Sequence, residues 1–207
     1  MPRITPARAA ARRRQIMEAA LICFARRGFH KTTMQDVVMQ SGLSPGAIYC
    51  HFAGKHDIIV AVVEERHRRE HALLRRATSH DSLAAAVAQL VADFIAVLGS
   101  AEERAWRRLT IQLWAESLHD RRLAGAVHRG VDAPRAMLAA VVRKAKERGE
   151  LPKALDPDAT ARLIIAFFQG LVLQQAWDAR IDVETCADAL AALIGVPVGS
   201  LRRAVSA

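Results

Sequence analysis

Cysteine is scarce in this chain: Cys23, Cys50 and Cys186 are the only three in 207 residues, far apart and in no Cys-x-x-Cys pair. A disulfide framework needs an even set and a zinc finger needs paired ligands, so neither is implied, and a reducing cytoplasm is expected. Long apolar runs are missing too. The apolar, uncharged stretch at residues 163–177 spans fifteen residues, short of the roughly 18 that a membrane helix requires, and the N-terminus carries no apolar signal-peptide core. No membrane partner is therefore expected. No glycine-rich phosphate loop or nucleophile elbow is present, which argues against nucleotide hydrolysis and serine-hydrolase chemistry. Strand-like alternation, internal repeats and low-complexity linkers are absent as well, which leaves an all-α chain. Acidic residues are sparse at one end. Residues 1–76 hold 14 Lys+Arg against 6 Asp+Glu, a net of +8, whereas residues 77–207 hold 16 against 15, a net of +1.

Such lopsided charge points to a polyanion partner at the N-terminal end, where each phosphate contact releases condensed counterions and makes binding salt-dependent. Residues 32–52 supply a motif to match. Thr32 and Thr33 provide a helix cap, Met34, Val37 and Val38 an apolar face, and Gly42 a stop that tolerates positive φ. Ser44 then caps a second helix with Pro45 at its first position, where a missing N–H costs nothing. This is the layout of a helix-turn-helix. Ile48 and Phe52, four apart, face inward, so Pro45, Gly46, Ala47, Tyr49, Cys50 and His51 are left for the outward side. Small residues lead, which lets the backbone approach base edges in a major groove. Thr33, Ser44, Tyr49, His51 and Lys55 suit phosphate oxygens and would set register, and Gln35 joins them on the first helix. Residues 1–11, basic and free of acids, read as a flexible arm that reaches toward the DNA backbone. Cys50 on the reading helix is an oxidation-sensitive position or simply a small side chain.

The segment from about residue 12 to residue 63 resembles the DNA-binding domain of the TetR family of bacterial transcriptional regulators. The features that carry the resemblance are Ile16, Ala19, Ala20, Phe24, Gly28-Phe29, Thr32-Thr33, the Gly-Leu-Ser-Pro-Gly turn at residues 42–46, and Ile48-Tyr49-Cys50-His51-Phe52 followed by Lys55. His51 stands where many members carry tyrosine, and Ala47 where a longer side chain is common. The resemblance implies a dimer and a helical C-terminal domain that responds to small molecules.

Periodicity supports that C-terminal reading independently. Ile58, Ile59, Val62 and Val63 tie the first domain to a helix that continues to residue 76. Further helices are predicted over residues 82–98, 102–118, 123–148 with a possible kink at Pro134, 158–177 and 183–194. The centre of the 158–177 helix is apolar around nearly its whole circumference, and a chain of this size has little interior to cover both sides, so a second subunit is expected there. Gly170 would permit close approach at the crossing. Phe94, Trp106, Leu113, Trp114, Met137, Phe167, Phe168 and Trp177 are the large apolar candidates for an effector pocket, with Gln112, Glu116, His119, Gln169 and Gln174 as polar neighbours. The Ile-Gln-Leu-Trp-Ala-Glu-Ser segment at residues 111–117 is similar to the corresponding helix of BetI-like members. A cationic ligand held by Trp114 and Glu116 is one reading, although residues two apart do not share a helical face.

A second class competes with DNA binding. His67, Glu70 and His71 spell His-x-x-Glu-His, the order in which inverted zincins hold a metal and a general base. In an Arg-rich helix the same spacing also describes a solvated face. The expected organisation is therefore an arm at residues 1–11, a helix-turn-helix domain at 12–55 and a ligand-binding, dimerising domain at 56–207. No cofactor and no metal are expected. The function that follows is a homodimeric repressor that binds a palindromic double-stranded operator and is released by a small molecule, with an activator or a metal-dependent hydrolase as alternatives.

Overall fold

The computed structural model describes residues 5–80, 83–98 and 101–193. Within these residues the regular structure is entirely α-helical: α1 Pro6–Arg27, α2 Met34–Ser41, α3 Pro45–Tyr49, α4 Lys55–Thr78, α5 Leu83–Leu98, α6 Ala101–Ser117, α7 Arg121–Glu147, α8 Pro157–Trp177 and α9 Val183–Leu193. The fold class is all-α, as the missing alternation requires.

Helix starts follow local chemistry. Thr5 caps α1 by accepting from the Arg8 N–H at 3.4 Å, with Pro6 next in line. Asp156 caps α8 through the Ala159 N–H at 2.7 Å, again ahead of a proline. Asp182 caps α9 by accepting from the N–H groups of Glu184 and Thr185 at 3.0 and 3.3 Å. In each case a carboxylate or hydroxyl satisfies amide donors that the helix cannot. The expected flexible arm at residues 1–11 is corrected here: residues 6–11 already belong to α1, because the Thr5 cap and Pro6 start the helix six residues before Arg12. Residues 1–4 lie outside the described residues.

The chain divides into two compact units that are not contiguous in sequence. One joins residues 1–66 to residues 108–127, and the other joins residues 67–107 to residues 128–207. The expected boundary at residue 55 does not coincide with this division, since the start of α4, the end of α6 and the beginning of α7 belong with the N-terminal helices.

In the first unit Ile16, Ala20, Phe24, Phe29, Val37, Ile48, Phe52, Ile58, Ile59 and Val62 are buried. Each large apolar side chain removed from water contributes about 1.5–3 kcal/mol before chain entropy is counted, so this cluster holds the short helices α2 and α3, which would not persist alone. In the second unit one core cluster gathers Leu74, Leu138, Ala139, Ala161 and Ile164, with Leu90, Met137, Ile165 and Phe168 packed against it. A second gathers Leu171 and Val183, with Phe94, Phe167, Val172 and Cys186 around them.

Candidate nucleic-acid interface

The reading element is α2, a glycine turn and α3. α2 opens on a complete capping box, in which the Asp36 N–H donates to Thr33 Oγ1 at 3.2 Å and the Thr33 N–H donates to Asp36 Oδ2 at 2.8 Å. The Thr33 hydroxyl also donates to Asp36, at 2.8 Å. These bonds, chiefly those from Thr33, hold the Asp36 carboxyl below the usual range, and Arg27 adds to the effect through a direct ion pair. Thr33, expected at a phosphate, thus has its hydroxyl committed first to the cap. Thr32 is fully buried, with its hydroxyl 2.8 Å from the Gly28 carbonyl oxygen, so it fastens the turn before α2 instead of capping the helix.

α2 ends at Gly42, whose φ of +67° and ψ of 17° place it in the left-handed region, and its N–H closes the last turn onto the Val38 carbonyl at 3.2 Å. Only glycine adopts that conformation without strain, so the angle between α2 and α3 is written at this residue. Ser44 accepts from the Ala47 N–H at 3.3 Å and Pro45 begins α3. The helix is shorter than the sequence suggests. α3 stops at Tyr49, after which the N–H groups of His51 and Phe52 both reach the Ile48 carbonyl, at 2.9 and 3.0 Å. Ile48 and Phe52 are buried as expected, and Ser44, Pro45, Gly46, Tyr49 and Cys50 are exposed. Ala47 and His51 are half-buried, and Gln35 on α2 is exposed. A Cβ added at Gly46 would meet nothing within 4 Å, so that side of the helix is open.

α1 braces this element. Gln15 donates to the Ser41 carbonyl at 2.9 Å, and the Arg13 guanidinium lies 4.4 Å from the centre of the Phe52 ring. Arg8, Arg12 and Arg14 on the same helix are exposed, which accounts for much of the positive field at this end. Cys23 is buried beneath α2, and burial pushes its thiol up, with Asp36 adding to the effect, so it is poorly disposed to react.

A helix-turn-helix with a charged frame settles a class of partner; membership of a family rests on comparison. The family model described as "Bacterial regulatory proteins, tetR family" matches residues 16–62, and that described as "BetI-type transcriptional repressor, C-terminal" matches residues 84–195, more than half of the chain. The chain belongs to the TetR family. Among curated relatives, the HTH-type transcriptional regulator TtgR of Pseudomonas putida is 27% identical over an alignment covering 91% of this chain and 93% of TtgR. UidR of Escherichia coli is 24% identical over 88% and 91%. Salmonella enterica GusR has a similar structure, with a TM-score of 0.71, 28% identity, and coverage of 94% of this chain and 100% of that one. FadR of Bacillus subtilis, solved with stearoyl-CoA, superposes at a TM-score of 0.76 with 18% identity, covering 89% and 98%, which speaks for the fold alone. The chain is therefore a DNA-binding transcriptional regulator, and its relatives are regulators, not enzymes.

The second set of expected site residues is divided in this TetR-family fold. Phe94 and Phe168 meet edge to face with centroids 4.6 Å apart, and Phe167 and Phe168 at 5.5 Å, with Met137 packed on the same core. Trp106 is buried in the same unit. Leu113 and Trp114 are not with them. They belong to the first unit, where Leu113 is buried. Trp177 is 76% exposed, so it lines no interior. Glu116, read with Trp114 as a cation site, has its Oε2 2.9 Å from the His30 ring nitrogen, in the unit that holds the DNA-binding helices. Gln112, expected near an effector, likewise accepts from the Phe29 N–H at 3.2 Å.

Lys55 departs furthest from expectation. Its ammonium donates to the carbonyls of Phe29 and His30 at 2.8 and 3.2 Å and lies 4.6 Å from the centre of the Phe29 ring. Burial pulls its pKa down, and the Glu116 carboxylate opposes that pull. In the His-x-x-Glu-His segment the two histidines pack, while Glu70 is exposed. The rings of His67 and His71 stack with centroids 6.1 Å apart, and the His67 ring rests on the backbone of Gly130, where a Cβ would come within 2.0 Å of it. Among the described residues no group of three or more His, Cys, Asp and Glu is arranged to hold a metal ion, and no helix is long and apolar enough to cross a membrane.

Proposed function

We propose that the protein is a homodimeric repressor that reads a palindromic operator with α3 and is released when a small apolar molecule enters its C-terminal unit. The observation that carries the reading is α3 itself, a capped helix with its small-residue side open, fixed in a basic unit by buried Ile48 and Phe52. Pro45, Gly46 and Ala47 approach base edges in the major groove, and Ser44, Tyr49, His51, Gln35 and Thr33 meet the backbone around them. Repression is favoured over activation by the match of residues 84–195 to a repressor family.

Dimerisation follows from polarity. Leu163 on α8, Trp177 at its end and Leu193 at the end of α9 are 72%, 76% and 85% exposed in the single chain. Large apolar groups left in water on two successive helices favour burial against a symmetric copy, which presents two α3 helices to successive turns of one duplex face. The effector enters beside Phe94, Met137, Phe167 and Phe168, a reading supported by the aromatic and flexible apolar side chains gathered there. Two structures of this fold hold triclosan, in SmeT, and stearoyl-CoA, in FadR of Bacillus subtilis, both rich in apolar surface. A cytoplasmic location goes with this role.

The test is a duplex recovered from a random pool with the purified protein, titrated by fluorescence anisotropy at several salt concentrations alongside unselected duplex. Recovery of an inverted repeat, bound with two chains per duplex and released by an apolar aromatic compound such as triclosan, supports the proposal. Recovery of an asymmetric sequence bound by one chain contradicts it.

A further inference from the structure

The turn at residues 28–30 is gripped from two directions by residues far away in sequence. It begins at Gly28, whose φ of +79° turns the chain out of α1. Phe29 follows with its side chain buried, its carbonyl accepting from Lys55 at 2.8 Å and its N–H donating to Gln112 Oε1 at 3.2 Å. The His30 carbonyl accepts from Lys55 as well, at 3.2 Å, and the His30 ring nitrogen meets Glu116 at 2.9 Å. A Cβ on Gly28 would lie 3.3 Å from Gln112 Oε1, so the end of α6 also fits closely over the turn. Gln112 and Glu116 are four apart on α6 and so present one face, with both functional groups ending on consecutive residues of the turn.

We infer that Lys55, Gln112 and Glu116 are positioning residues for DNA binding, a clamp through which the last two turns of α6 fix the turn that joins α1 to the reading helices. The inference rests on the DNA-binding role of the TetR family and assigns these residues no contact with DNA. Lys55 reads in sequence as a phosphate ligand, yet two of its three ammonium donors are directed to carbonyl oxygens of its own chain. Its charge stabilises those carbonyls through charge-assisted hydrogen bonds and lies near the Glu116 carboxylate. The turn is the hinge between α1 and α2, and α2 carries α3. A change of orientation at residues 28–30 therefore moves α3 against α1, whose exposed arginines face the same polyanion. α6 runs from Ala101 to Ser117 as one helix.

The experiment uses full-length protein and the duplex selected with it, and compares Lys55→Met, Gln112→Leu and Gln112→Glu by anisotropy across a salt series. Lys55→Met and Gln112→Leu are expected to raise Kd about five- to tenfold, the scale of one or two lost hydrogen bonds. The slope of log K against log salt should stay as in the unaltered protein, because no phosphate contact is removed. Gln112→Glu keeps the acceptor and should retain most of the affinity. Hydrogen exchange supplies a second readout in the free protein: the Phe29 amide should exchange faster in Gln112→Leu while the Ile48 amide does not. A slope that falls by about one in Lys55→Met would place its charge on a phosphate and overturn its part in the clamp. Unchanged Kd and unchanged Phe29 exchange in Gln112→Leu would overturn the part of α6. If the unaltered protein bound selected and unselected duplexes alike, the DNA-reading role itself would fail, an outcome visible before any variant is made.

Discussion

Asp36 does three jobs with one carboxylate: it receives the Thr33 N–H, receives the Thr33 hydroxyl and pairs with Arg27 at the end of α1. Those interactions depress its pKa, so the charged form is favoured by folding. Its contribution is complete above the ordinary carboxylate value of about 3.9 and is lost as pH falls through the lower folded value. The melting temperature should accordingly drop more steeply as pH falls below about 4 in the native protein than in Asp36→Asn, as circular dichroism melts would show. Equal slopes would mean that the cap carries no linked proton. Tyr49 makes a different kind of prediction. Tyr49 is exposed at the end of α3; with its hydroxyl proposed at a phosphate, Tyr49→Ala should weaken binding to all duplexes alike in anisotropy titrations. Weakening confined to the selected sequence would instead assign Tyr49 to base reading. Thr33, Ser44 and Gly42 were legible as caps and stops because capping is local chemistry, decided within four residues. Lys55 was not. Whether a lysine turns outward to a phosphate or inward to two carbonyls depends on where residues 29 and 30 lie, and no spacing encodes that.

At the scale of elements, the periodic pattern located most helix boundaries to within a residue or two. The exceptions have identifiable causes. α1 starts early because Thr5-Pro6 is a good start signal in its own right. α3 stops early because the backbone after Tyr49 tightens so that Phe52 can enter the core. Where two helices touch, small residues matter most, as the contact of α4 with α7 shows. Gly130 lies under the His67 ring, so Gly130→Ala forces the ring or the helix to move. Stability should fall by about 1–3 kcal/mol, the usual range for overpacking. The combination with His67→Ala should recover most of that loss in urea melts, because the clash partner has gone. Additive losses in the double variant would show that Gly130 is needed for another reason. Within His-x-x-Glu-His, His67 therefore reads as a packing residue between helices.

For the whole molecule, the exposed apolar residues on α8 and α9 set the expectation. Leu163→Glu with Trp177→Glu places two charges on the face assigned to a second subunit. Sedimentation should then report a monomer, with helical content retained because neither side chain is buried within the chain. Affinity for the selected inverted repeat should fall at least about a hundredfold, since two linked reading helices act at high effective concentration and one does not. A dimer that survives both charges would place the interface elsewhere. The first unit is discontinuous in sequence. Residues 108–127 join the N-terminal helices through Gln112, Glu116, Asp120 and Arg122, so α6 and α7 each belong partly to both units. A boundary drawn from sequence at residue 55 could not show this, because chain order says nothing of which helix ends return.

The sequence by itself determined the helical class, the caps, the glycine that sets the reading angle and the charged end that faces DNA, because each is fixed by neighbours within a turn or by net composition. Tertiary structure alone decided where Lys55, Gln112 and Glu116 point, which aromatic residues share a cluster and how the helices divide between units. Those outcomes depend on contacts across 25 to 86 positions of chain, and at such separations it is the packing of the core, not the spacing of residues, that brings groups together.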